Sequence, residues 1–426
     1  MVLCLTPRIE AITRSVTGRA ASLFAADCAA REAELRARIE GKRVLVVGGA
    51  GSIGSATLVE VAAYRPRSLA VLDPAENNLV ELVRTLRSGE RPYEGELLVE
   101  PLDYGSALAG RWLAEQADTS GPFELVLCFA ALKHVRSERD AYSLLRLLEV
   151  NLVAADRFLG AVRSFDHGHD GVFLVSTDKA ARPVSFLGAS KRAMELLLWA
   201  HTEEGAPASL LDGGEAPPLS HATTTRFANV AFSDGSLPWG FLQRLEKGQP
   251  LAGPSDIRRY LISPVESGQL CVLAACACPS RFVLLPRLDP DEHMVDFATV
   301  ATKTLEAYGL EPAWYDDADA ARSAVSAERA GGRYPVVLLP SDTSGEKPAE
   351  EFVAAGETPV EVGLEAAVAV AAPSPLPDGL VELLRTVDRA CRGSDALSKE
   401  DLERALSGVV EDFTHLETGR TLDEKM

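Results

Sequence analysis

From residue 43 onward, short apolar runs alternate with segments of helical spacing: R-V-L-V-V (43–47), S-L-A-V-L-D (68–73), E-L-L-V-E-P-L-D (96–103), F-E-L-V-L-C-F-A (123–130) and G-V-F-L-V-S-T (171–177). Strands alternating with helices predict right-handed βαβ units on a parallel sheet. Runs that are apolar at nearly every position predict strands covered on both faces. The predicted fold class is therefore α/β, with a doubly wound parallel sheet. Residues 8–40 carry Ala29, Ala30, Leu35 and Ile39 at helical spacing, which predicts one or two leading helices as a packing or oligomerisation element. Past residue 205 a Gly/Pro-rich stretch (210–220) reads as a surface loop, and T-T-T-R-F-A-N-V (223–230) as another strand. Strand-like runs at 281–286 and 334–340, mixed with helices, predict a smaller substrate-binding cap. A Pro-rich break at 372–379 precedes two helical segments, the second opened by Ser398 with Asp401 three residues on, a weaker relative of the capping box. The expected division is a helical extension (1–40), a dinucleotide-binding domain (41–235), a cap (236–371, with sheet strands contributed near 222–230) and a C-terminal tail (372–426).

The 426 residues are 46% hydrophobic and 25% charged, a globular composition that excludes wholesale disorder. With 43 Lys+Arg against 62 Asp+Glu the formal charge is -19, so the surface repels nucleic acid and anionic membrane. An anionic ligand must then be captured locally, at a helix N-terminus backed by a few cations. Seven scattered cysteines fit reduced thiols in a cytoplasm. Cys276 and Cys278 are the only close pair and read as core packing, His167, His169 and Asp170 read as a solvated loop, and no metal site is expected. No run reaches the roughly 18 apolar residues of a membrane span. With no signal-peptide pattern at the start, a cytoplasmic protein without a membrane partner is expected.

Immediately after the first strand comes G-G-A-G-S-I-G, with Gly48, Gly51 and Gly54 at G-x-x-G-x-x-G spacing, Ser52 and Ile53 between them, and a helical run following. Strand before and helix after is the context of a Rossmann-like phosphate loop, in which the backbone approaches a pyrophosphate at a helix N-terminus. Asp73 closes the second strand 19 residues after Gly54, at the place of a carboxylate that reads the adenosine ribose and favours NAD over NADP. Capping the next helix is its alternative role. Asp103, ending the third strand, is a candidate for the adenine, and Ala130, ending the fourth, for the cofactor wall.

Two segments carry a family resemblance: F-A-A-L-K-H-V (129–135) and S-T-D-K-A-A-R-P-V-S-F-L-G-A-S-K (176–191). Together with the glycine loop they resemble the UDP-N-acetylglucosamine 4,6-dehydratases of the polysaccharide-biosynthesis group, within the extended short-chain dehydrogenases. Asn151, R-F-A-N-V (226–230), D-G-S (234–236), D-I-R-R-Y (256–260) and G-E-K-P-A-E-E (345–351) extend the likeness across about residues 41–352. The usual Tyr four residues before the Lys is Leu187 here, similar to a branch that carries Met. Other departures are Val47, Ala228 and Thr343-Ser344.

The resemblance implies an NAD-dependent dehydratase acting on a nucleotide-sugar. Lys179 would abstract the C5 proton and Asp178 would protonate the leaving C6 hydroxyl, with Thr177 or Ser176 in support and Lys191 on the nicotinamide ribose. Lys133 is implied for cofactor or sugar, with His134 a supporting hydrogen-bonder. Asn229, Arg258, Arg259 and Glu346 are implied for the nucleotide-sugar, Arg259 being equally readable as a surface ion pair. A homo-oligomer is expected. An epimerase and a noncatalytic nucleotide-sugar-binding homologue are the rival readings.

Overall fold

The computed structural model describes residues 7–89, 91–133, 138, 140–165, 171–341, 347, 349–393 and 397–415. Fourteen strands among them are β1 (Arg43–Val47), β2 (Ser68–Leu72), β3 (Glu96–Glu100), β4 (Leu125–Cys128), β5 (Gly171–Val175), β6 (Ala222–Thr225), β7 (Asn229–Val230), β8 (Leu251–Pro254), β9 (Arg258–Ile262), β10 (Phe282–Pro286), β11 (Met294–Asp296), β12 (Glu311–Tyr315), β13 (Arg333–Leu339) and β14 (Ala367–Ala371). Eight form one sheet in the order β14-β10-β6-β5-β4-β1-β2-β3, parallel except for β14. Chain order reverses at β1, which pairs with β2 through Val44↔Leu69 and with β4 through Val44↔Leu125. In a doubly wound sheet that reversal opens a crevice outside the carboxyl ends of the strands, where ligands bind.

The continuous apolar runs behave as expected: every residue of β1, β2, β4 and β5 is buried. Alternate side chains feed two cores, Leu45 and Val47 on one face of the sheet and Val44 and Val46 on the other.

The expected cap differs in composition. Strand 281–286 does not belong to it. Realised as β10, it pairs parallel with β6, and β14 closes the edge antiparallel to it. Burial explains the difference: Val283 and Leu285 enter one core and Leu284 the other, so β10 is covered on both faces like the strands before it. The run 223–230 also divides, because β7 leaves the main sheet to pair with β9, which β11 flanks. The second expected cap strand is β13, between β12 and β8 in a separate parallel sheet. Cys276 and Cys278 are core residues.

Three helices, rather than one or two, lead in: Pro7–Thr17, Ala25–Ala30 and Glu32–Ile39. The first packs Ile12 and Val16 into the core beneath β8 and β13, while Phe24, Leu35 and Ile39 join the main core. At the other end, helices Leu380–Cys391 and Lys399–Ser407 bury Leu383, Leu384, Leu402 and Leu406 in the core with Leu144 and Leu187. Ser398 and Asp401 complete a full capping box there, with Asp401 N on Ser398 Oγ at 3.2 Å and Ser398 N on Asp401 Oδ2 at 3.0 Å. The described chain beyond that helix is irregular up to 415. Among the described residues, no helix is long and apolar enough to cross a membrane.

Candidate active site

The glycine loop lies where β1 ends and helix Ser52–Ala63 begins. Gly48 has a φ of +72°, and a Cβ there would come within 2.7 Å of Ala130 N, so only glycine permits the loop to lie against the end of β4. A Cβ on Gly54 would fall 2.3 Å from Gly48 O. Gly51 differs, since a Cβ there would meet only Gly48 O at 3.4 Å, leaving an open face above the helix N-terminus. That concavity fits a pyrophosphate.

Asp73 does not cap the next helix, whose N-cap is Ala75 without a side-chain bond, but holds two backbone amides. Its Oδ2 accepts from Ala50 N at 3.0 Å and its Oδ1 from Ala75 N at 2.9 Å, tying the glycine loop to the turn after β2. Each oxygen keeps a further lone pair for a ribose hydroxyl. Asp103 is half exposed, its Oδ1 accepting from Gly105 N at 3.0 Å and its Oδ2 3.3 Å from Arg146.

Ser52 and Lys133 meet on one backbone unit: Asp234 N donates to Ser52 Oγ at 3.0 Å, and Lys133 Nζ donates to Asp234 O at 2.9 Å. Ile53 packs into the core from the same turn. Asn151 sits in a π-helical turn (Glu149–Val153), a local widening common at functional sites. Its side chain accepts from Leu132 N at 3.0 Å and donates to Leu132 O at 3.2 Å and Ser190 Oγ at 3.0 Å, fixing the loop after β4 against helix Phe186–Ala200.

β5 ends in a short 3-10 turn, Asp178–Ala180. Thr177 Oγ1 donates to Asp178 Oδ1 at 2.5 Å, and Lys179 Nζ reaches the same oxygen at 3.3 Å. The helix carrying Lys191 passes close by: a Cβ on Gly188 would lie 2.5 Å from Lys179 O. Lys191 is buried and donates to Val175 O at 2.9 Å, and burial pushes its ammonium down to about 8. Leu187 is buried too, its amide held by Glu138 Oε1 at 3.1 Å.

The second oxygen partner of Lys179 is a residue the motifs did not single out. Glu350 Oε1 lies 3.1 Å from Lys179 Nζ and 3.1 Å from Arg259 Nε, while Asn229 Nδ2 donates to both Glu350 oxygens at 3.2 and 3.0 Å. Asp178, Lys179, Asn229, Arg259 and Glu350 thus form one cluster, assembled from the turn after β5, from β7, from β9 and from the segment before β14.

Arg259 corrects one of its two expected roles, the surface ion pair. It is a buried ion pair, not a surface one, and its Nη1 is spent on Arg258 O and Lys347 O, each at 3.0 Å. Arg258 is exposed, and its Nη2 donates to Met294 O at 2.9 Å. Ser176 does not support Asp178, because its hydroxyl turns to Glu195 Oε1 at 2.6 Å. His134, Thr343, Ser344, Glu346 and the loop with His167, His169 and Asp170 lie outside the described residues.

The electrostatics follow from burial and pairing. Burial opposes ionisation of Asp178, but the Lys179 charge and the hydrogen bonds outweigh it and hold this carboxyl below its usual range. For Lys179 burial is again outweighed, by the two carboxylates, so the ammonium is stabilised. Glu350 moves the other way: burial and the neighbouring Asp178 charge push it up to about 7.

A glycine loop at the reversal point of a doubly wound sheet gives this molecule a Rossmann-type fold. The chain belongs to the polysaccharide biosynthesis protein family, whose profile matches residues 44–357. It is similar to a probable polysaccharide biosynthesis protein, EpsC, of Bacillus subtilis, 25% identical over 272 residues that cover 62% of this chain and 41% of that protein. An inverting UDP-N-acetylglucosamine 4,6-dehydratase of Campylobacter jejuni is 27% identical over 238 residues, 55% of this chain and 63% of that one. Among solved structures, Pen from Bacillus thuringiensis shares the fold with a TM-score of 0.58 at 18% identity, covering 79% of this chain and 88% of that one.

Proposed function

We propose that the chain is an NAD-dependent nucleotide-sugar 4,6-dehydratase acting on a UDP-N-acetylglucosamine-like substrate. The observation that carries this reading is the Thr177-Asp178-Lys179 turn after β5, its Asp178 buried and its Lys179 partly open to solvent, with an aliphatic Leu187 where related enzymes use a phenol. Acid-base work then falls to the turn. Gly48, Gly51, Ser52, Ile53 and Gly54 would hold the pyrophosphate, Asp73 the adenosine ribose, Asp103 and Ala130 the adenine side and cofactor wall, and Lys191 the nicotinamide ribose. Bound NAD supplies an acceptor for the C4 hydride and a donor for C6.

Lys179 takes the C5 proton once C4 is a ketone, and Asp178 gives a proton to the departing C6 hydroxyl. Lys133, Asn229, Arg258, Arg259 and Glu346 are the proposed contacts to the nucleotide-sugar. Incubating the protein with a panel of UDP-sugars and weighing the products tests the reading. Loss of one water supports it, an isomer of unchanged mass makes the protein an epimerase, and no turnover of any sugar overturns it.

Cofactor preference is a separate expectation. A 2′-phosphate would face the Asp73 charge, so calorimetry should find NAD bound more tightly than NADP. Equal affinity would remove Asp73 from the ribose.

A further inference from the structure

The roles proposed for Asp178 and Lys179 require a neutral acid and a neutral amine, whereas the structure favours a carboxylate and an ammonium. One proton must therefore move from Lys179 to Asp178 before the C5 proton is taken. The direct contact, Lys179 Nζ to Asp178 Oδ1 at 3.3 Å, is longer than the 3.1 Å contact to Glu350 Oε1, and Asp178 Oδ1 also accepts from Thr177 Oγ1. Asp178 Oδ2 is buried with no donor among the described residues.

The geometry points to Glu350 as a positioning residue of the dehydratase, a carboxyl that takes a proton from Lys179 and presents it to Asp178. Its contact with Lys179 Nζ is 3.1 Å, and the same ammonium lies 3.3 Å from Asp178 Oδ1, so Lys179 bridges the two carboxyls. Asn229 and Arg259 hold Glu350 in place through the distances given above.

The steps balance. Lys179 ammonium and Glu350 carboxylate become amine and carboxylic acid. Glu350 then gives its proton to Asp178 and returns to carboxylate, leaving Lys179 as base and Asp178 as acid with no change in total charge. A carboxyl raised to about 7 suits that exchange, since neither protonation state is strongly preferred near neutrality. The charged groups around it are Asp178, Lys179 and Arg259, with Tyr260 beside it and Lys347 facing Asp178.

This inference rests on the dehydratase reading, so its test has one arm independent of turnover. Infrared difference spectra of the full chain with NAD, taken between about pH 5 and about pH 9, should show a protonated carboxyl band that disappears with a midpoint near 7 in the wild type. The band should be missing from Glu350→Gln. A wild type without the band, or a variant that keeps it, overturns the proposal.

The second arm follows water loss and solvent deuterium at C5 with UDP-N-acetylglucosamine. Glu350→Gln should be slower by about 100-fold and should lose the rate change near pH 7, and Glu350→Asp should recover part of both. A purely structural role would leave the pH profile of the Gln variant intact, and that result also overturns the proposal. A band that titrates in a protein that never dehydrates the sugar leaves the Glu350–Asp178 proton sharing standing and removes the dehydratase reading instead.

Discussion

Asp178→Asn is expected to slow dehydration of UDP-N-acetylglucosamine by about 100- to 10,000-fold, and Lys179→Ala by a similar factor, while both variants still bind NAD. Asparagine keeps the size of residue 178 and its contact with Thr177 but has no carboxylic proton to give. Alanine at 179 removes the amine and leaves Glu350 to Asn229 and Arg259. Losing that cation removes one of the charges that hold Glu350 down, so its carboxyl should move further up. Cofactor affinity should survive because the glycine loop and Asp73 are built from the ends of β1 and β2, apart from the turn after β5. In heavy water the wild-type product should carry deuterium at C5, since Lys179 exchanges its protons with solvent between removing and returning one. Wild-type rates in both variants, or a dehydrated product without C5 deuterium, would sink the assignment.

Much of this site was legible because its determinants are local. The glycine loop is a backbone device, and a buried strand, three spaced glycines and a helix announce it within about a dozen residues. The T-D-K turn is likewise contiguous, and Leu187 stands at a fixed spacing from Lys191. Glu350 was not legible, although it lies in the quoted G-E-K-P-A-E-E segment, because nothing in that segment says which of its glutamates turns inward. It meets Lys179 across 171 residues of chain. The placement of β10 failed for a related reason: five apolar residues predict a buried strand, but their neighbour β6 is set by which faces are covered, a property of the folded whole. Arg226 stands in a strand signature that gives it no role by itself, and the folded chain surrounds it with acceptors.

Arg226→Met is expected to destabilise the fold by about 3–5 kcal/mol, the cost of leaving buried charges unpaired. Both Arg226 and Glu195 have fully buried side chains. All five guanidinium hydrogens have acceptors: Nε and Nη2 reach the two oxygens of Glu195 at 2.8 and 2.7 Å, Nη1 and Nη2 reach Glu357 at 2.6 and 2.9 Å, and Nη1 also reaches Phe352 O at 3.0 Å. Ser176 and Arg192 add donors to Glu195. One side chain thereby ties the end of β6 to helix Phe186–Ala200, to the residue before Thr177, and to the segment just after Glu350. Its removal should loosen the cluster around Asp178 and Glu350 as well as the core.

The pH dependence fixes the sign. Burial alone would raise Glu195, but the Arg226 charge and hydrogen bonds hold it down at about 2, against an ordinary 4.5. The wild type therefore has this stabilisation above pH 4.5 and loses it as pH falls through 2. Without Arg226 the buried Glu195 and Glu357 should titrate high, so protonation stabilises the variant as pH falls. Urea denaturation should show the largest gap between the two proteins near neutrality and a narrowing one in acid. Arg226→Lys should recover little, since an ammonium has three donors where five acceptor contacts must be met. A gap under about 1 kcal/mol for Arg226→Met, well short of the cost of breaking a buried pair, or one that widens in acid, would show that these carboxylates tolerate burial without the arginine.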